Sequence, residues 1–238
     1  GSNGLLTDYV RCLIGSSTFT GHVQSIIAGV NVPHISGRDI KAFRFLLPPT
    51  PVQEQIALVI TAYDDLIENN TRRIAILEEM ARRLYEEWFV HFRFPGHEDV
   101  PMVDSELGQI PQGWEIKAFS ESADFINGFA FKPHHWETVG KPIIKIKELK
   151  NGVTKDTPRY HGEDIPKKYH ISNGALLFSW SGDLDAYIWA DGDGLLNQHV
   201  FEVIPFGPFK RRFLYFTLRS AMRRFRSLSL GTTMRHIK

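Results

Sequence analysis

The chain has 238 residues, of which 42% are hydrophobic and 12% aromatic, enough for one large or two modest packed domains. It contains no run of about 20 apolar residues, which argues against a membrane span, and the single Cys12 excludes an internal disulfide and suits a cytoplasmic protein. The net charge of +1 conceals an uneven distribution, because residues 1–113 hold nine Lys/Arg and 14 Asp/Glu whereas residues 114–238 hold 19 and 13.

Residues 1–47 are predicted to form a short helix, a loop and a strand. The helix is expected over residues 5–13, and the strand over residues 39–47, where polar and apolar residues alternate in part. The strand stops at Pro48-Pro49, because proline has no backbone N–H to donate to a sheet.

A long helix is predicted over residues 48–94. Its apolar positions follow alternating steps of four and three residues, which is the pattern of a coiled-coil seam. At about 1.5 Å per residue the helix is roughly 60 Å long, which is typical of a spacer or a dimerisation helix. Asn70 interrupts the seam, either as a buried amide that fixes the register or as a tolerated surface residue. The seam residues are Ile56, Ile60, Tyr63, Ile67, Asn70, Ile74, Leu77, Ala81, Leu84 and Trp88.

The second half of the chain changes from helical to β-rich patterning. Residues 95–113 form a polar connector without a helical period. Short β-type runs separated by Gly, Asn and Pro follow at residues 142–146, 174–180 and 199–204. An amphipathic helix is expected over about residues 209–228. The order of these elements predicts an α+β domain over residues 114–238.

Residues 205–238 are strongly basic, with nine Lys or Arg and no Asp or Glu. Such a block is typical of a surface that binds a polyanion, because neutralised phosphates release condensed counterions. An ordinary solvated helix face is the alternative, and the sequence leaves both open. Arg223 and Arg224 are the predicted phosphate contacts in this block.

A short internal repeat links the two ends of the chain. The motif G-x-x-V-P-H-I at residues 29–35 recurs 202 residues later as G-x-x-M-R-H-I at residues 231–237. Either the match is a coincidence, or the chain holds slightly more than one period of a duplicated protein.

Catalytic motifs are absent from the sequence. There is no Gly-x-Gly-x-x-Gly, no Gly-x-x-x-x-Gly-Lys-Ser/Thr and no Asn/Asp-Pro-Pro-Tyr/Phe. Asp183 and Asp185, together with Glu148, fit either a metal-dependent nuclease or ordinary turn chemistry. The histidines lack metal-ligand spacing, so we expect neither catalytic residues nor a bound metal.

An ordered set of motifs runs along almost the whole chain. They are G-x-x-V-P-H-I at 29–35, L-P-P at 47–49, E-Q-I at 54–56, L-E-x-x-A at 77–81, W-F at 88–89, L-G-x-I-P-x-G-W at 107–114, G-A-L-L-F-S at 174–179 and N-Q-H at 197–199. Each motif is loose alone, whereas the ordered set resembles the DNA-specificity subunit of type I restriction-modification systems.

This resemblance implies two target-recognition domains separated by two long antiparallel helices. The chain is similar to a fragment or half-size form of that plan. Residues 1–47 correspond to the tail of a first recognition domain, 48–94 to a spacer and dimerisation helix, 95–113 to a linker and 114–238 to a nearly complete recognition domain. The implied fold is α+β, with a mixed or antiparallel twisted sheet in an α/β-type recognition domain, plus one long coiled-coil helix.

The resemblance also implies a function. The chain would bind double-stranded DNA without catalysis, read half of a bipartite site, and position methyltransferase and restriction/translocase subunits. No cofactor is expected on the chain itself, because S-adenosylmethionine would be bound by the methyltransferase partner. A homodimer through the long helix would rebuild the full geometry. The alternative is a coiled-coil interaction adaptor with a basic domain, and the target bases, the spacer length and the packing partner of residues 1–47 stay open.

Candidate DNA contacts lie on segments that follow predicted strands. Lys145 and Lys147 are expected to alternate on one strand face. Asn197-Gln198-His199 either maintains local structure or pairs with adenine through its amides. The predicted contacts are Lys145, Lys147, Ser179, Trp180, Ser181, Arg223, Arg224, Thr232, Thr233 and Arg235.

Overall fold

A computed structural model describes residues 4–26 and 35–228 of the chain, with side chains as far as residue 222 in the last helix. The chain divides into two compact units, Gly1–Leu84 and Tyr85–Lys238. In the described ranges, every helix is too short or too polar to cross a lipid bilayer. The two copies of the repeat motif lie almost entirely outside the described residues.

The first unit is helical. Its helices are α1 (Thr7–Ile14), α2 (Ser17–Ile26), α3 (Gly37–Lys41) and α4 (Thr50–Tyr85), whose last residue belongs to the second unit. The strand predicted over residues 39–47 is wrong, since residues 43–49 form neither helix nor strand. The Ser36 Oγ accepts a hydrogen bond from the Asp39 N–H (3.2 Å), and the Asp39 carboxylate accepts one from the Ser36 N–H (3.0 Å). This capping box starts α3 just before the alternating run, and the helix extends into the run as far as Lys41.

The start of α4 is anchored by the buried side chain of Gln53. Its Oε1 accepts a hydrogen bond from the Leu6 N–H (3.0 Å), and its Nε2 donates to the carbonyls of Gly4 and Pro48 (both 2.8 Å). A buried amide without partners would cost free energy. These bonds therefore fix the segment before α1 and the proline-rich segment to the same helical turn.

The long helix ends in a π-helical turn over Glu86–Val90, which contains the half-buried Trp88. Phe92 follows with a positive φ of 57°, a conformation that a bulky residue adopts only where packing fixes it. The rings of Phe89 and Phe92 lie 5.7 and 5.5 Å from the ring of Trp114. Trp114, the last residue of one family motif, is thus part of an aromatic cluster of the second unit.

The second unit is built from short strands. In chain order they are β1 (Met102–Ser105), β2 (Gly108–Pro111), β3 (Ala123–Asn127), β4 (Lys141–Ile144), β5 (Arg159–Tyr160), β6 (His170–Ile171), β7 (Leu176–Ser179), β8 (Asp185–Ile188), β9 (Gly194–Leu196) and β10 (Val200–Pro205). β1 and β2 form an antiparallel hairpin within the segment predicted as a connector, residues 95–113. Gly108 begins β2 with a φ of 99°, which a tight turn at this point requires.

An antiparallel sheet has the strand order β3-β10-β7-β8. One face is packed by helix α6 (Arg211–Leu228), the element predicted over residues 209–228. Leu214, Leu218 and Met222 of this helix are buried in one cluster with Leu176 and Val203 of the sheet. Their spacing of four residues places them on one side of α6, so the helical period of the sequence reflects this packing.

A second sheet has the order β5-β4-β9-β6, in which β4 and β9 are parallel and the other pairs antiparallel. Its core residues Ile144 and Leu196 pack together with Leu177 and Val200 of the antiparallel sheet. The short helix α5 (Ile146–Asn151) follows β4. The predicted α+β class, with mixed and antiparallel sheets and one long helix, is confirmed.

Candidate nucleic-acid interface

Loops from both sheets meet at one end of the second unit. Asn127 at the end of β3 and Ser179 at the end of β7 both pair with the start of β10. The parallel strands β4 and β9 end side by side, and the Asn197 N–H donates to the Ile144 carbonyl (3.1 Å). Because three residues separate β9 from β10, the ends of the two sheets are adjacent. We call this surface the loop end; it consists of residues 127–128, 145–150, 180–184 and 197–199.

Ser179 and Ser181 stabilise the turn between β7 and β8. The buried Ser179 Oγ donates to the Asp183 carbonyl and accepts a hydrogen bond from the Asp185 N–H at 3.1 Å. The Oγ of Ser181, which is also buried, is hydrogen-bonded to the Nδ1 of His199 (3.1 Å). Both hydroxyls therefore have protein partners, and both residues are buried rather than exposed for the DNA contact that the sequence predicts.

Trp180 connects three segments of the loop end: its own turn after β7, the end of β3 and the segment before β10. Its Nε1–H is shared between the Oδ1 of Asn127 and the carbonyl of Gln198, both at 3.1 Å. Its ring centroid lies 5.8 Å from that of His199. The indole N–H is thus engaged within the protein, and only the half-buried ring remains for the predicted contact with DNA.

The strand face predicted for Lys145 and Lys147 is wrong. β4 ends at Ile144, Lys145 is the N-cap of α5, and Lys147 lies in its first turn. The buried Glu148 carboxylate accepts hydrogen bonds from the Lys145 N–H (3.2 Å) and from the Thr157 hydroxyl (3.3 Å). This cap favours a helix over continuation of the strand. Both lysines still belong to the loop end, and Lys147 is exposed.

The acidic residues of the β7–β8 turn are paired with basic side chains. The Asp183 carboxylate forms an ion pair with Lys150 of α5, and Asp185 forms one with Arg219 at 3.3 Å. These contacts favour the turn interpretation of the two aspartates over a nuclease site. No group of three or more His, Cys, Asp or Glu within the described residues is arranged to hold a metal ion.

Asn197 has a structural position. Its side chain is 8% exposed, and its Oδ1 accepts a hydrogen bond from the His199 N–H at 3.3 Å. The backbone of Gly128 approaches it so closely that a Cβ on Gly128 would lie 2.2 Å from the Asn197 carbonyl oxygen. The arrangement favours local structure over adenine pairing for Asn197, whereas Gln198 and His199 are half-buried at the surface.

Helix α6 runs along the antiparallel sheet toward the loop end. The Arg211 guanidinium donates to the Gly174 carbonyl (2.6 Å), before the start of β7, whereas Arg219 reaches Asp185 at the start of β8. Arg223 and Arg224 follow one turn later in the same helix. Their side chains are outside the described ones, as are Thr232, Thr233 and Arg235, so these predicted contacts stay predictions.

Tyr187 of β8 adds no charge to this part of the domain at neutral pH. Burial raises the pKa of its hydroxyl to about 12, and the carboxylates of Asp185 and Asp183 contribute to the increase. The side chain therefore remains a neutral hydrogen-bonding group in any complex formed at neutral pH.

The predicted dimer seam of the first unit lies on one side of α4 and is largely open to solvent. Ile56 is half-buried, and Asn70 is exposed. Exposed fractions are 39% for Ile60, 65% for Tyr63, 64% for Ile67, 58% for Ile74, 62% for Leu77 and 50% for Leu84. A stripe of this kind is typical of a helix that associates with a partner.

Sequence analysis missed Asn127 as a candidate contact. The residue is exposed at the end of β3 and hydrogen-bonded to Trp180. A polar residue followed by glycine after an apolar run was the available signal, and it indicates only a turn. The hydrogen bond to Trp180 joins residues 53 positions apart, which no local pattern reveals.

Comparisons with known proteins identify the same family that the motifs resemble. The family model for the type I restriction modification DNA specificity domain matches residues 111–238. The MjaIX specificity subunit of Methanocaldococcus jannaschii is 26% identical over 186 residues, which cover 76% of this chain and 43% of that protein. The HindI specificity subunit of Haemophilus influenzae is 22% identical over 281 residues, with coverages of 92% and 61%. The chain thus spans less than two thirds of these relatives.

Among solved structures, the HsdS subunit from Thermoanaerobacter tengcongensis is similar, with 16% identity, a TM-score of 0.44 and coverage of 97% of this chain and 57% of that one. The family match alone extends over more than half of the present sequence. The chain therefore belongs to the type I restriction-modification DNA specificity domain family.

Proposed function

We propose that the chain is a sequence-specific DNA-binding specificity subunit of a type I restriction-modification complex, without catalysis of its own. The family match over residues 111–238 carries the proposal, because it covers the domain whose loop end presents basic and amide side chains. The chain would act on double-stranded DNA in the cytoplasm. It would position methyltransferase subunits, which bind S-adenosylmethionine, and through them the restriction subunit.

The domain plan is part of this proposal. Residues 114–238 serve as a target-recognition domain, and residues 48–94 as a spacer and dimerisation helix. Residues 95–113 connect the two, and residues 1–47 represent the tail of another recognition domain. The long α4 and the two-sheet architecture of the second unit support this division.

A second copy of the chain is the proposed partner of the α4 seam. Two copies paired through this helix would supply two recognition domains, as a bipartite site requires. Burial of an Ile side chain contributes about 1.5–3 kcal/mol when complete. Ile67 and Ile74 are 64% and 58% exposed, so each has about 1–2 kcal/mol to gain from a partner.

Replacement of both isoleucines by Glu tests the dimer. Over two copies the loss amounts to about 4–8 kcal/mol, or at least a thousandfold in the dimer dissociation constant. Light scattering should give about twice the chain mass of 27.2 kDa for the wild type and the single mass for the variant. Leu58→Glu is the matched control, since Leu58 is 73% exposed on the opposite side of the helix from Ile67. A monomeric wild type at micromolar concentration would refute the dimer.

Selection from a randomised duplex library at roughly 0.15 M salt tests the DNA-binding function. We expect enrichment of a half-site of a few base pairs, or of two half-sites at a fixed spacing. Binding without enrichment would refute sequence recognition by this chain. If no duplex is retained even at low salt, the coiled-coil adaptor replaces the specificity subunit as the best interpretation.

Salt dependence tests the proposed phosphate contacts of Arg223 and Arg224. The slope of log binding constant against log salt concentration should become shallower by about one unit for each phosphate contact removed in the Ala variants. Arg212, which is exposed at the start of α6, provides the comparison within the same helix. An unchanged slope in Arg223→Ala and Arg224→Ala would assign these residues to a solvated helix face.

A further inference from the structure

The amide of Asn127 has a defined orientation. An indole N–H can only donate a hydrogen bond, so the atom of Asn127 that lies 3.1 Å from the Trp180 Nε1 is the amide oxygen. The Nδ2 group is consequently directed away from that bond. Asn127 is exposed, and no acceptor for its Nδ2 hydrogens is found in the described part of the chain.

The backbone that carries this amide is held on both sides. Asn127 pairs with Phe201 in the antiparallel sheet. The Gly128 N–H donates to the Val200 carbonyl (3.0 Å), and the next N–H in the chain donates to the Leu196 carbonyl (2.8 Å). The donor is therefore preorganised by both sheets, which lowers the entropy lost when it forms a further bond.

We propose that Asn127 is a specificity-determining residue that donates from Nδ2 to a base-edge acceptor in the major groove. The acceptor inferred here is the guanine O6 or the thymine O4, because adenine and cytosine carry the N6 and N4 donors instead; the N7 of both purines also accepts and would not distinguish guanine from adenine. Trp180 is a positioning residue, because its N–H fixes which end of the amide faces the DNA. The inference rests on the proposed DNA-binding function and adds the chemical class of base that this position selects.

The chemistry of the loop end favours DNA as the ligand of this amide. Lys145 and Lys147 of α5 belong to the same surface. Residues 128–170, which run from this strand end through β4 and β5 to the start of β6 in the second sheet, contain nine Lys/Arg and five Asp/Glu. One of these acids, Glu148, is buried as the helix cap and adds no exposed negative charge. A positively charged surface around Asn127 attracts the phosphate backbone, so that the Asn127 amide can reach a base edge.

Selection from the randomised duplex library should be repeated with the full chain carrying Asn127→Asp, Asn127→Ala or Trp180→Phe. The Asp variant retains an oxygen for Trp180 and replaces the donor by an acceptor. We expect one position of the half-site to lose its preference for guanine or thymine by roughly 2- to 12-fold, as for a single hydrogen bond. In the Asp variant this position should shift toward cytosine or adenine, and in Trp180→Phe it should become less selective, while other positions keep their bases.

Asn173→Asp is the matched control. Asn173 is also exposed, and its Oδ1 accepts a hydrogen bond from the Gly192 N–H (2.6 Å), but it precedes β7 at the opposite end of the sheet. If Asn173→Asp alters the same position as Asn127→Asp, the effect is one of general charge and the inference is wrong. Unchanged preferences in both Asn127 variants would also overturn it, while the enriched wild-type half-site would leave the proposed function intact. Failure of the wild type to enrich any sequence would overturn both.

Discussion

Replacement of Gly128 by Ala places a methyl group where two backbone segments meet. The added Cβ would lie 2.2 Å from the Asn197 carbonyl oxygen and 2.6 Å from that of Leu196. Cβ atoms essentially never approach other heavy atoms closer than 3.0 Å. Both obstacles are backbone atoms, so no side-chain rotation relieves the overlap, and the segments must separate by about 1 Å.

The cost has two sources. Overpacking of this kind costs about 1–3 kcal/mol. Separation also weakens the hydrogen bonds of the Gly128 N–H to the Val200 carbonyl (3.0 Å) and of the Gln198 N–H to the Phe129 carbonyl (2.9 Å), each worth about 1 kcal/mol net. We therefore expect a loss of about 2–4 kcal/mol, which corresponds to a decrease of roughly 4–16 °C in Tm for a unit of this size.

Thermal and urea unfolding monitored by circular dichroism measures this loss. Gly21→Ala is the control, because Gly21 lies inside α2 with no heavy atom within 4 Å of its added Cβ. In an open helix position the same substitution is expected to be neutral or stabilising by about 0.5–1 kcal/mol. If Gly128→Ala has the same Tm and the same urea midpoint as the wild type, the close approach of the two segments does not exist in solution. The placement of Asn127 derived from it would then also be wrong.

Further substitutions separate structural roles from ionisation effects. Ser179→Ala should destabilise the second unit by about 1–3 kcal/mol, because it leaves the half-buried Asp185 N–H without its partner, and library selection should show unchanged base preferences. Burial raises the pKa of Glu202, and Arg211 partly offsets this increase, so the ionised carboxylate destabilises the fold once the pH exceeds that pKa. Glu202→Gln should therefore raise Tm at neutral pH and have no effect well below the ordinary pKa of 4.5. The free energy of unfolding should decrease as the pH rises from 10.0, the ordinary pKa of Tyr187, to about 12, its raised value. Tyr187→Phe should make this decrease smaller. If the alkaline unfolding profile of the variant equals that of the wild type, Tyr187 is not buried.

The elements with a strong local period were predictable from sequence. The four-three spacing of the long helix corresponds to α4, and the amphipathic run near the end corresponds to α6. The apolar runs at residues 174–180 and 199–204 correspond to β7 and β10. In α6 the period reflects burial of one face against the sheet. The α4 seam, by contrast, is largely open to solvent, and β7 is buried at all four of its positions.

Two errors share one physical cause. The alternating runs at residues 39–47 and 142–146 predicted strands, but α3 begins before the first run and ends within it, and in the second run β4 stops at Ile144 and α5 begins at Ile146. At the start of each of these two helices, a carboxylate three residues after the N-cap accepts a hydrogen bond from the N-cap N–H, at Asp39 and at Glu148. A capping interaction is strong enough to override a few residues of alternation, because short strands gain little from propensity alone.

The candidate site was predictable as a place but not residue by residue. The sequence indicates that segments after strands carry the polar groups, yet only tertiary contacts decide which of these groups faces inward. The Ser179 hydroxyl donates a hydrogen bond to the backbone of the next turn. The amide oxygen of Asn127, by contrast, accepts a hydrogen bond from Trp180, and its NH2 group is exposed. Both side chains can form hydrogen bonds with a base, so residue type alone does not separate them. What separates them is the close approach at Gly128, which brings two sheet ends together and makes one surface from loops distant in sequence. Base preference should therefore be more sensitive to changes in the half-buried residues that orient Asn127, such as Trp180, than to changes in more exposed lysines, whose contacts with phosphates carry no sequence information.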